Sequence, residues 1–160
     1  MISRIVLRTS LWLAMGTWVG SWAFFAFVVS RIAFQVLPGD IAGDLAGSLL
    51  TILHYGGAGA ALVAAAAAIG LGRRGWSVGF PLLLAILCLA SEFWLSPEVA
   101  AVRPSTLGEH NTVESQQRFR ILHGLSLGLF MAIHLASLIL VGLYARRDTL
   151  ELADAQPHSE

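Results

Sequence analysis

Glu92, His54, His123, His134 and Cys88 are the side chains of this sequence best suited to chemistry, since each is ionisable or metal-binding and each falls within a stretch of otherwise apolar residues. An ionisable group at membrane depth costs about 2.5 to 3.5 kcal/mol on insertion scales, so each needs a partner or a purpose. At 1.5 Å per helical residue, His54 and Glu92 fall at one level, roughly 7 to 10 Å below the surface opposite the arginine pairs Arg73-Arg74 and Arg146-Arg147. Cys88 lies one turn from Glu92, and Thr51 shares a helix face with His54, Ala58 and Ala61. Gln116, Arg120, His123, Leu127, Phe130 and His134 recur at four- and three-residue spacings, a single stripe predicted to face inward. Arg31 and Gln35 complete a polar layer that all four helices are expected to supply.

Four readings of this layer stand side by side. His54 with His123 or His134 could ligate haem b axially, the ring filling space left by Ala and Gly, with Arg120 or Arg31 on its propionates. His54, His123, Glu92 and Cys88 could hold copper, which imidazole and thiolate suit. Glu92, His54 and His123 could relay protons. Equally, no cofactor is bound: Glu92 pairs with Arg120 or Arg31, and each imidazole donates to a backbone carbonyl. His110 beside Glu109 belongs to a polar loop, His158 to the tail, and Gly70-x-Gly72 to a helix end without the strand or lysine of a phosphate loop. No nucleophile elbow or Ser/His/Asp arrangement supports hydrolysis.

The elements that position these residues follow from composition. Of 160 residues, 56% are hydrophobic and 12% charged, with a mean hydropathy of +0.73, values foreign to soluble domains. Ten basic residues, all Arg, balance ten acidic ones, which disfavours nucleic acid. The lone Cys88 excludes an internal disulfide. Spans are predicted at about 11–36, 46–71, 76–95 and 119–145, a length of about 20 residues sufficing for each. The first is too long for a signal-peptide core. Pro38-Gly39-Asp40 ends it, Ser96-Pro97 closes the third, and Pro81 stands near that helix's start, where a lost donor matters least. Asn111 and Glu114 suggest a capping box for the last helix, and 148–160 reads as a frayed polar cytoplasmic tail. Gly16 with Gly20, and Gly43 with Gly47, have the spacing of close helix packing, within the bundle, with a second copy or with a membrane-protein partner. Arg4, Arg8, Arg73, Arg74, Arg146 and Arg147 share one side, predicted cytoplasmic with both termini. Trp12 and Trp76 fit one interfacial belt and Trp94 the other, whereas Trp18 and Trp22 are expected to pack inside.

The run Phe34-Gln35-Val36-Leu37-Pro38 followed by Gly43, together with Arg118-Phe119-Arg120-Ile121-Leu122-His123-Gly124-Leu125-Ser126, resembles the bacterial relatives of the transmembrane protein 205-like family. More remotely the chain is similar to copper resistance protein D-like membrane proteins and to small membrane protoporphyrinogen oxidases. The resemblance implies a four-span layout and carries over Arg118 or Arg120, His123 and Ser126, but no reaction; Arg31 and His54 fall outside its pattern. The expectation is an all-α integral membrane four-helix bundle in a bacterial inner membrane. Its role is either redox or metal handling through His54, His123 and His134, or that of a cofactor-free accessory subunit of a larger membrane complex.

Overall fold

The computed structural model describes residues 3–103 and 112–154. Four long helices fill that chain: α1, Arg4–Val36; α2, Gly39–Gly70; α3, Trp76–Val102; and α4, Val113–Asp154. No strand occurs among the described residues. Each helix is long and apolar enough to cross a membrane, as lipid demands of a backbone with no water to satisfy it. Phe24, Phe27, Leu62, Ile69, Leu83, Ile86 and Ile139 are exposed on the outside. In water this would be a liability, but for a multi-pass membrane protein the bilayer is the solvent.

α2 packs against both α1 and α3. Its buried Ala58, Ala61, Ala64, Ala65 and Ala68 let the larger Leu11, Met15 and Trp18 of α1 and Leu84 of α3 approach closely. The glycines that this packing requires are Gly57 and Gly70. A Cβ on Gly57 would lie 2.6 Å from Trp18 Nε1, and one on Gly70 would lie 3.0 Å from Leu7 Cδ1. Gly16 and Gly20, expected as packing positions, face open space, while Gly43 and Gly47 accommodate the side chain of Arg103.

The helix ends depart from expectation for identifiable reasons. Pro97 does not close α3. Its missing amide and its ring would disrupt a regular α turn, but Ser91–Leu95 widens into a π turn just before it, and the helix continues to Val102. A second π turn, Phe25–Val29, interrupts α1. Pro81 leaves the carbonyl of Ser77, four residues earlier, without its helical donor, and the Tyr144 hydroxyl supplies one at 2.5 Å. Asn111 lies outside the described residues; the Thr112 hydroxyl accepts from the amide of Ser115 at 3.1 Å at the start of α4.

Residues 148–154, expected to fray, continue α4 as helix. The reason is Arg73, which is 2% exposed. It binds Asp148 and donates to Glu151 at 2.9 Å, while Arg8 and Arg147 also reach Glu151 and Trp12 Nε1 donates to Asp148. Burial works against the guanidinium charge, but hydrogen bonds to Glu151 and Asp148 raise the Arg73 pKa above its ordinary value. The first turns of α1 and the last of α4 therefore meet at one end of the bundle, the arginine end.

Candidate functional site: a polar clamp in an open cleft

Thr51 and His54 lie one turn apart on α2, and Glu92 lies in the π turn of α3. The carboxylate accepts from Thr51 Oγ1 at 2.8 Å, pairs with His54 Nδ1 at 3.0 Å and is approached by Ser96 Oγ at 3.4 Å. A regular α turn presents one side chain per 100°; the widened turn changes that register and brings Glu92 toward α2 while the helix runs on. His54 is 2% exposed and the Glu92 side chain 12%. His54 Nε2 is buried without a hydrogen-bond partner.

Glu92 and Thr51 form part of the wall of a cleft of about 1270 Å³, whereas His54 stands behind them, outside its lining. The far halves of α1, α2, α3 and α4 enclose this space. Phe25, Phe34, Leu127, Phe130 and Met131 supply apolar surface, and Asp40, Asp44, Glu92, Arg103, His123 and His134 the ionisable groups. Arg103 binds Asp44 and lies across the notch left by Gly43 and Gly47. Neither residue of that pair was singled out for the site; 59 positions separate them, and no local pattern announces the contact.

The predicted stripe on α4 divides. Phe130 and His134 are buried, but Gln116, Arg120, His123 and Leu127 are exposed. His123 stacks on Phe119 with ring centroids 5.4 Å apart. His134 lies parallel to Trp22 at 6.4 Å, while His54 meets the same indole edge-on at 5.8 Å. Trp22, which donates to the Leu53 carbonyl at 3.3 Å, thus contacts both imidazoles. Its burial was expected from the sequence; its place against both histidines was not.

Arg120 and Arg31 are exposed and make no ion pair among the described residues. Glu92 pairs with His54 rather than with either arginine. Arg118 instead pairs with Glu98 at 2.8 Å. Cys88 is fully buried, its sulfur near the backbone of Gly57, where a Cβ would lie 3.3 Å away. Of the residues foreseen for chemistry, the fold joins His54 to Glu92 directly, places His123 and His134 on the cleft lining, and leaves Cys88 in the helix interface. Among the described residues, no three His, Cys, Asp or Glu side chains cluster closely enough to hold a metal ion.

The arrangement offers a hydrogen-bonding carboxylate beside an apolar space at the far end of the bundle, with three carboxylates, one guanidinium and two imidazoles on the walls. Comparisons with curated proteins and with solved structures give no match. A family model does match residues 13–106, more than half of the chain, covering most of α1 and the whole of α2 and α3, the two helices that carry the clamp. The run Phe34–Pro38 and Gly43 fall within that stretch, and the run Arg118–Ser126 beyond it. The chain therefore belongs to the family described as domain of unknown function DUF4149.

Proposed function

We propose that the protein binds an amphipathic small molecule in the far-end cleft, its apolar body between α1 and α4 and a basic or hydrogen-bond-donating head toward Glu92. The observation that carries this is the Glu92 carboxylate, held by Thr51 and His54 on the wall of an open, largely apolar space of about 1270 Å³. Three carboxylates line the cleft, Asp40, Asp44 and Glu92, against one guanidinium, that of Arg103, which is committed to Asp44, and the imidazoles of His123 and His134. That imbalance favours a cationic or donor head over an anionic one. The resemblance of the sequence to the transmembrane protein 205-like family is not carried by the family match and supplies no ligand.

The test uses ligands of one alkyl chain length that differ in head group, an ammonium, an alcohol and a carboxylate, added to purified protein in non-ionic detergent. The ammonium is expected to raise the thermal midpoint most and the carboxylate least, and Glu92→Gln to compress the difference. Leu127→Trp, which adds bulk to the cleft wall, is expected to reduce all three shifts. Equal shifts for the three heads, or the carboxylate strongest, would overturn this reading.

One observation favours a second reading, a His-ligated haem b or copper. A carboxylate on Nδ1 with Nε2 free is how an outer acidic residue orients a metal-binding imidazole, and His54 has this form. Against haem stands the position of Arg31 and Arg120 away from the cleft lining, which leaves Arg103 alone for propionates. A Soret band or stoichiometric copper in the purified protein, lost in both His54→Ala and His123→Ala, would put this reading first. A colourless, metal-free protein that discriminates no head group and co-purifies with larger membrane proteins would favour an accessory subunit instead.

A further inference from the structure

At the arginine end, four guanidinium groups face two carboxylates. Arg4, Arg8, Arg73 and Arg147 line a pocket of about 420 Å³, with Glu151 on its wall and Asp148 bound to Arg73 beside it. Glu151 receives hydrogen bonds from Arg8, Arg73 and Arg147. Arg147 turns its remaining reach to the Ser77 hydroxyl at 2.7 Å and to the face of Trp76. The acceptors available do not match the donors. Arg73 Nη1 is buried with no hydrogen-bond partner, and Arg8 Nε, also without one, stands 3.7 Å from the Asp148 carboxylate. Arg4 is exposed at the rim and pairs with no carboxylate among the described residues.

A pocket lined by four guanidinium groups against two nearby carboxylates favours an acceptor-rich anion. Phosphate suits it best, since the planar guanidinium binds phosphate oxygens in pairs. Two features tie the phosphate to a lipid. Leu71 and Leu152 add apolar surface to the pocket wall, and Trp12 and Trp76 flank the same layer, bound to Asp148 and stacked near Arg147 respectively. Aromatic residues and basic pockets between helices mark the headgroup level of a bilayer. We propose that this pocket binds the phosphate of an anionic phospholipid, a site separate from the far-end cleft and independent of what that cleft holds.

The experiment uses the full chain in nanodiscs of neutral phosphatidylcholine, with and without phosphatidylglycerol, and in detergent with inorganic phosphate. Wild-type protein is expected to enrich phosphatidylglycerol in native mass spectrometry and to gain thermal stability from it. Arg4→Gln, which removes a rim charge that makes no ion pair, is expected to weaken enrichment by more than the about fivefold that one guanidinium anywhere at the lipid surface supplies. Arg74→Gln is the control, because Arg74 is exposed on the same end but outside the pocket. It removes the same surface charge and should weaken enrichment by about fivefold at most. Stabilisation by inorganic phosphate as strong as by lipid, and lost in Arg4→Gln, would keep the phosphate site and assign its source to the free ion. Equal losses for Arg4→Gln and Arg74→Gln would reduce the effect to diffuse surface charge and overturn the site. Absence of any preference for phosphatidylglycerol or phosphate would do the same.

Discussion

Removing the Glu92 carboxylate tests whether the clamp exists as a physical unit. In Glu92→Ala, Thr51 Oγ1 and His54 Nδ1 lose their acceptor, and because His54 Nε2 already has none, a 2% exposed imidazole is left without any hydrogen bond. A buried polar group in that condition costs about 1 to 3 kcal/mol. Thr51 has a fallback, since a helical threonine can donate to the carbonyl one turn back. The loss is partly offset by relieving the carboxylate's own desolvation, so a net destabilisation of about 1 to 2 kcal/mol follows. At about 2 to 4 °C per kcal/mol for a chain of this size, the thermal midpoint should fall by about 2 to 8 °C. The sharper measurement is the double-mutant cycle of Glu92→Ala with His54→Leu, followed by circular dichroism in non-ionic detergent. Hydrogen bonds between membrane helices couple by about 0.6 kcal/mol on average and up to about 1.7. A carboxylate–imidazole pair belongs at the upper end, so the coupling expected is about 1 to 2 kcal/mol. Single effects that simply add, within about 0.5 kcal/mol, would show that the two side chains do not meet in the folded protein, and the clamp would fall with them.

Other consequences are as direct. Gly57→Ala should destabilise by about 1 to 3 kcal/mol through overpacking, because its Cβ would press on Trp18 Nε1 at 2.6 Å, whereas Gly16→Ala and Gly20→Ala, which face open space, should leave the unfolding midpoint in place. Arg73→Gln should cost about 2 kcal/mol in the same assay, less than the 3 to 5 typical of a broken buried pair, because Arg8 and Arg147 still reach Glu151. Cys88 should resist a maleimide in the folded protein and react once it is denatured, since its side chain is fully buried. In a Cys88→Ala background, Gly72→Cys should label with an impermeant thiol reagent from the cytoplasmic side and Gly39→Cys from the opposite one; the reverse pattern would invert the orientation expected from the arginine distribution.

Periodic and local features are legible in the amino-acid sequence alone. Four apolar stretches must be helices because lipid offers the backbone no other partner. A constant rise per residue sets His54 and Glu92 at one height by their positions in the chain alone. Arg73 and Arg74 were legible as a charged turn, and Trp18 and Trp22 as interior residues. Which groups at a given height touch is set by the packing of the folded bundle. Glu92 takes His54 and Thr51, not Arg120 or Arg31, because a π turn ahead of Pro97 sets its direction. Gly43 and Gly47 receive Arg103 from 59 positions away, not a neighbouring helix backbone. Arg73 is buried because the last turns of α4 bring two carboxylates to it, which is also why residues 148–154 stay helical. Height along a helix is fixed by its own hydrogen bonds, but azimuth and the distance between helices are fixed by side-chain packing between segments far apart in the chain, and no periodicity within one segment encodes them.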